Sequence, residues 1–255
     1  MSVLDYYRRR RFINTIVQST GVGYQESDNT TVPCTDGSTV MMPTFNSEWD
    51  DSKKDEWMGS LVHECYHNKG DNRLDFDLPK KYKIDMSSPL GVALNIVVDS
   101  NIEHKEHGKL EGADGFLLGT SERVYSKLDS GINGLGGFLP ALLGFDAHCR
   151  SKWMGVSDYD LRQYLDADGQ ARFDKLLPYM DEYLTFRAGG EPNYELTKKL
   201  IEAMGDDADA AEKEAQQQAK DKEQGGGREQ GGGGKADAEG EGKGLEEGST
   251  AGDAK

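Results

Sequence analysis

The sequence predicts a mainly α-helical domain with a small β element near its N-terminus, followed by a disordered acidic tail. Three observations carry this. Apolar residues recur at helical spacing through most of the first 205 positions. β-prone residues with turn signals gather only between Gly21 and Thr44. Residues 206–255 hold 14 acids, 7 bases and 12 glycines in 50 positions, with Leu245 the one large apolar side chain. Such a segment cannot bury enough surface to offset its ordering entropy. The expected organisation is one domain over 1–205 and a disordered Gly-rich tail over 206–255. The first stretch of that tail, DDADAAEKEAQQQAKDKEQ, is helix-friendly and able to extend a preceding helix.

Residues 2–18 fit a helix with Leu4, Tyr7, Arg11 and Val17 near one side. Gly21 to Gln25 and Ser38 to Thr44 read as a hairpin or pair of strands around a polar stretch with Asn29, Asp36 and Gly37. Ser47 to Lys69 is a helix with two apolar lanes at i, i+4, Trp57/Leu61/Cys65 and Met58/Val62/Tyr66, stopped by Gly70. Ser87 and Ser88 before Pro89 open a second long helix that Gly108 closes, giving Pro89 to His107. Further helices are expected over 113–129, 136–153, 157–166, 169–187 and 192–204. GINGLGG at 131–137 lacks the GK[ST] ending of a phosphate loop and reads as a turn.

Composition excludes several classes. The chain has 255 residues, 46 acids and 30 bases, for a net charge of −16. That balance argues against a general nucleic-acid or anionic-membrane binder, which needs clustered Lys and Arg. The run Arg8–Arg11 reads as a solvated helix face pairing with local acids. No apolar run reaches 18 residues, so no membrane span is expected, and MSVLDYYRRRR has no apolar signal core. Cys34, Cys65 and Cys149 form no CxxC pair and no disulfide framework, so a reducing cytoplasmic setting is expected.

The chemistry lies in His63-Glu64-Cys65-Tyr66-His67, an HExxH motif. On a helix, residues four apart share a face, so His63 and His67 can aim imidazole nitrogens at one Zn2+ ion. Glu64 sits about 100° around the helix, placed to act as a general base on a water rather than as a ligand. A third ligand is needed. The metzincin position holds Arg73, which cannot ligate; Asp71, Asp75 and Asp77 lie close by. The second helix offers more. Asn95, Asp99 and Glu103 form one polar lane at i, i+4, i+8 through an apolar helix, and buried carboxylates demand partners. Asp99 sits deepest in the apolar run and is the favoured ligand. Glu103 is the next candidate, as ligand or as orienter of a histidine. His104 and His107 fall at that helix's end and read as surface residues, although His107 continues the lane; His148 reads as packed or exposed structure. A di-iron bundle needs a second Glu-x-x-His pair, which the sequence lacks.

HECYH (63–67) together with ALNIVVDSNIE (93–103) resembles the metallopeptidase-like region of CobT-type proteins, cobaltochelatase subunits and their phage-encoded relatives. There an HExxH helix is followed by a helix of the form N-x-x-E-D-x-R-I-E. Asn95, Asp99, Ile102 and Glu103 match, while Val98 and Asn101 stand where that family has glutamate and arginine. The likeness spans about residues 15–110. It implies a phage or bacterial protein (in the host cytoplasm if phage-encoded), a AAA+ ATPase partner on another chain and a separate von Willebrand A protein, since neither a Walker A sequence nor a DxSxS motif occurs. The nearest approach to the latter, Asp85-Met86-Ser87-Ser88, reads as a helix cap.

The resulting expectation is a minimal zincin-like core that cleaves a peptide or protein substrate, with His63, His67 and Asp99 or Glu103 on zinc and Glu64 as base. The alternative is a non-catalytic CobT-like adaptor or chelatase-type subunit working with an ATPase.

Overall fold

The structure, a computed structural model, describes residues 3–128, 131–155 and 161–225. It is mainly helical with a three-stranded sheet near the N-terminus. Helix α1 (Val3–Thr20) buries Ile13, Ile16 and Thr20. Of the expected face, Arg11 is exposed and Val17 half-buried, while the side chains of Leu4 and Tyr7 lie outside the described set. The two isoleucines one turn apart set the buried side, since placing Arg11 there would desolvate a charge. Arg9 turns inward instead. It pairs with Glu26 at 2.8 Å and lies 3.5 Å over the Phe45 ring.

Strands β1 (Gly23–Ser27), β2 (Cys34–Thr35) and β3 (Thr39–Pro43) lie in the order β1-β3-β2. The two expected strands are present, but they pair parallel rather than as a hairpin. The hairpin joins β2 to β3 across Asp36-Gly37-Ser38, where Asp36 Oδ1 accepts from the Ser38 and Thr39 amides, each at 2.8 Å. Gly37 has φ +86°, a conformation that a side chain would strain. Two residues of strand are too few to leave an alternating pattern, which is why β2 was not visible in the sequence.

Helix α2 (Asp51–His67) starts at Asp50, whose side chain accepts from the Lys53 amide and caps the first turn. All six residues of its two apolar lanes are buried. It crosses α5 (Ala113–Leu128) closely at Gly59, where a Cβ would overlap the Phe116 carbonyl and Thr120 Oγ1. A 3₁₀ segment (Gly70–Asp77) and α3 (Leu78–Tyr82) lead to α4 (Pro89–Glu106), which Ser88 caps by accepting from the Gly91 amide at 3.1 Å. Helix α4 packs on α2 and on α6 (Leu139–Met154).

Residues 156–160 lie outside the described set, and 161–164 form a short 3₁₀ turn where a longer helix was expected. The expected 169–187 helix is α7 (Ala167–Leu176), a 3₁₀ turn and α8 (Met180–Thr185). Pro178 causes the break, because it has no amide proton to continue the ladder.

The helix-friendly start of the tail is helical, as a separate element rather than an extension of the preceding helix. After α9 (Glu191–Met204), Gly205 at φ +94° ends that helix, and a separate helix, α10 (Ala208–Gly225), folds back on α9 and α4. Ala208 and Ala215, seven apart, are fully buried. Two alanines allow the close approach, and polar pairs flank it: Lys198 bridges Asp209 and Glu212, and Lys222 reaches Asp85 at 2.6 Å. The compositional boundary at 205 therefore falls inside folded chain. Residues 226–255, where disorder was also expected, lie outside the described residues. No described helix is long and apolar enough to cross a membrane.

Candidate metal centre

Helices α2 and α4 bring three of the expected residues together. His63 Nε2, His67 Nε2 and Asp99 Oδ1 all lie within 4.8 Å of one another. The pairs are separated by 3.1 Å (His63–His67), 3.2 Å (His67–Asp99) and 3.6 Å (His63–Asp99). Two donors each about 2.0–2.1 Å from a tetrahedral zinc stand about 3.3 Å apart. The triangle has edges of that size. The side chains of His63, His67 and Asp99 are 21%, 13% and 19% exposed, so they are shielded yet reachable from solvent.

Hydrogen bonding alone does not satisfy this triangle. His63 Nδ1 lies 2.6 Å from Glu103 Oε1, a carboxylate that favours a proton on Nδ1, so the neutral form of the ring presents the Nε2 lone pair to the other two residues. His67 Nε2 carries at most one proton and faces two acceptors. Asp99 Oδ2 accepts from Asn95 Nδ2 at 2.8 Å, but buried Oδ1 makes no well-aligned hydrogen bond, only ion-pair contacts with His67 Nε2 at 3.2 Å and His63 Nε2 at 3.6 Å. With the Nε2 protons displaced, two imidazole lone pairs and a carboxylate oxygen would converge as a divalent cation requires, and the donor set fits zinc.

The electrostatics agree. Burial opposes a charge on His63, yet the nearby Asp99 and Glu103 carboxylates outweigh it and raise the imidazolium to about 10, so a cation bound here takes the place of the Nε2 proton. Burial would push Asp99 and Glu103 up; His63 and His67 for the first, and Arg150 and His63 for the second, hold both below the usual range. The cluster thus has a surplus of negative charge facing the imidazoles.

The polar lane of α4 descends from solvent into the core. Asn95 is exposed, Asp99 half-buried and Glu103 buried. Glu103, not Asp99, is the deepest of the three, which corrects the sequence expectation, and neither of its oxygens is among the three that converge. One oxygen holds His63 Nδ1 and the other is held by Arg150 Nη1. Of its two expected roles, the orienter's is the one the geometry supports.

Glu64, half-buried, takes no side-chain hydrogen bond among the described residues. Its carboxyl is raised by burial, with His63 and His67 pulling the other way. Cys65 packs in the core, as its lane implied. Arg73 is a structural lock: its guanidinium donates to the Asn68 and Thr20 carbonyls, tying α2 to α1. Asp71 pairs with Lys105, Asp75 accepts from the Gly190 amide and Asn193, and Asp77 is exposed, so none of the three joins the cluster. His104 stacks on Trp153 and meets Arg187, while His107 pairs with Asp114 at 3.2 Å. His148 packs edge-on against Phe173. Tyr82 donates to Glu191 at an exposed site, away from the cluster.

Residues that the sequence did not single out stand behind His63. Arg150 Nε donates to Asp146 Oδ2 at 2.9 Å, and Asp146 also accepts from Tyr125 and Tyr183, each at 2.8 Å. A signal was present: Asp146 and Arg150 lie four apart inside the apolar run LPALLGFDAHCRSKWM, the same pattern as the lane on α4.

Comparison of the sequence with protein-family models and curated proteins, and of the fold with solved structures, finds no match.

Proposed function

We propose that this chain is a zinc-dependent, metallopeptidase-like hydrolase of CobT-like type. The observation that carries the reading is the convergence of His63 Nε2, His67 Nε2 and Asp99 Oδ1 one residue away from an unpartnered Glu64. These three residues would hold the ion. When bound, zinc supplies a Lewis acid that makes a water nucleophilic near neutral pH and polarises a carbonyl. Glu64 accepts the proton of the attacking water on a carboxylate oxygen and delivers it to the departing amine of a peptide or protein substrate. Asn95 fixes Asp99 by its outer oxygen, which leaves the inner oxygen for the ion. Two imidazoles and a carboxylate also suit non-haem iron; a free glutamate beside the first histidine favours hydrolysis, since iron chemistry needs no base there.

Three free cysteines, two of them buried, suit a reducing cytoplasmic setting. Work alongside a AAA+ ATPase and a von Willebrand A protein belongs to the same reading and rests on the motif residues alone.

The test is metal analysis of purified protein followed by a peptide-library assay of wild type and Glu64→Gln. Equimolar zinc with cleavage that Glu64→Gln abolishes supports the hydrolase. Zinc without Glu64-dependent cleavage leaves an adaptor with a structural metal.

A further inference from the structure

The strongest feature outside the donor triangle is a buried line of charge that ends on His63. Glu103 and Arg150 have side chains only 6% and 7% exposed, and the Asp146 side chain is 2% exposed. Arg150 bridges the two carboxylates with different nitrogens, Nε to Asp146 and Nη1 to Glu103. Tyr125 and Tyr183 donate to the two oxygens of Asp146 from α5 and α8. Four helices therefore fix one guanidinium.

Desolvating so many charges is costly, and apolar residues of like volume would commonly pack as stably. Fold stability alone gives no reason for the network. Its geometry does: each link constrains the next until Glu103 Oε1 meets His63 Nδ1 at 2.6 Å. Without Arg150, Glu103 would be free to turn its second oxygen elsewhere and release the imidazole.

We infer that Arg150, anchored by Asp146, is a positioning residue for the metal centre: through Glu103 it locks the His63 ring so that Nε2 faces the ion. The inference rests on the metal-centre reading and adds to it a residue that touches neither metal nor substrate.

Full-length wild type, Glu103→Gln, Arg150→Met, Arg150→Lys and the Glu103→Gln/Arg150→Met double variant are titrated with Zn2+ against a chromophoric chelator. Their Co2+ forms are compared by visible absorption. Glu103→Gln and Arg150→Met should each weaken Zn2+ binding by about 10- to 100-fold. The double variant should be little worse than the weaker-binding single one, because both act through one contact. The Co2+ bands should shift as the His63 donor reorients, which a loss of packing elsewhere would not produce. Arg150→Lys keeps the charge but has one nitrogen for two carboxylates, so it should lose about 10-fold and decides the matter if Arg150→Met does not fold. Arg150 variants that fold, bind Zn2+ like wild type and keep the wild-type Co2+ spectrum overturn this inference and leave the metal centre standing. Fully additive losses also overturn it. A wild type that binds no zinc removes the metal centre and this inference together.

Discussion

Glu103 Oε1 sits 2.6 Å from His63 Nδ1 across the α2–α4 contact. That one contact holds the His63 ring with Nε2 toward His67 and Asp99, and it separates the roles of the two carboxylates on α4. Asp99 faces the place where an ion would sit; Glu103 stands behind it.

Asp99→Asn is therefore predicted to harm metal binding more than Glu103→Gln. Replacing a ligand should cost more than the 10- to 100-fold typical of residues behind one. Zinc affinity by chelator competition ranks the two, and the reverse order would make Glu103 the third ligand.

Glu64→Gln should leave zinc affinity within a few-fold of wild type while lowering peptide hydrolysis by about 10²- to 10⁴-fold, the usual contribution of a general base. The check is single-turnover cleavage at saturating zinc. An equal fall in metal binding would mean that Glu64 is a ligand.

The sequence made the core of this site legible for a simple reason. Helical periodicity is a strong signal, and His63, His67 and Asp99 lie on helices whose registers follow from apolar lanes and from Asp50 and Ser88 as caps. What it did not make legible depends on tertiary partners. Glu103 rather than Asp99 is the deepest of the lane, and its partner there is Arg150, a tertiary contact from α6. The parallel pairing of β1 and β3 turns on a two-residue strand too short to leave a pattern. The helicity of α10 was legible in its composition but its docking was not, since two buried alanines contribute almost nothing to a hydrophobicity average.

Gly59→Ala should destabilise the fold despite alanine's better helix propensity. The propensity gain is about 1 kcal/mol, whereas overpacking a tight crossing costs about 1–3 kcal/mol. The added methyl also meets backbone at Phe116, which yields less readily than a side chain. A urea midpoint equal to or above wild type would show that α5 moves away freely.

Ala215→Asp should detach α10, because a carboxylate would replace a fully buried methyl beside α4 and α9. Limited proteolysis reads this directly: wild type should resist cleavage within 208–222 and the variant should not. Equal cleavage of both would mean that α10 does not hold to the body in solution.

Acid sensitivity is predicted at His104. Burial against Trp153, with Arg187 close by, lowers its pKa from 6.5 to about 4. The unfolded chain therefore binds more protons between those values, and stability falls as pH drops from about 6.5 toward 4. His104→Gln should reduce that fall. Chemical denaturation at pH 7 and pH 4.5 tests it, with equal pH dependence in both proteins as the contrary result.

The central claim is tested most directly by crystals of zinc-loaded protein and anomalous diffraction at the zinc edge. One peak per chain is predicted, about 2.0–2.2 Å from His63 Nε2, His67 Nε2 and Asp99 Oδ1. Equimolar zinc bound elsewhere, or a peak on the histidines with Asp99 turned away, would contradict it.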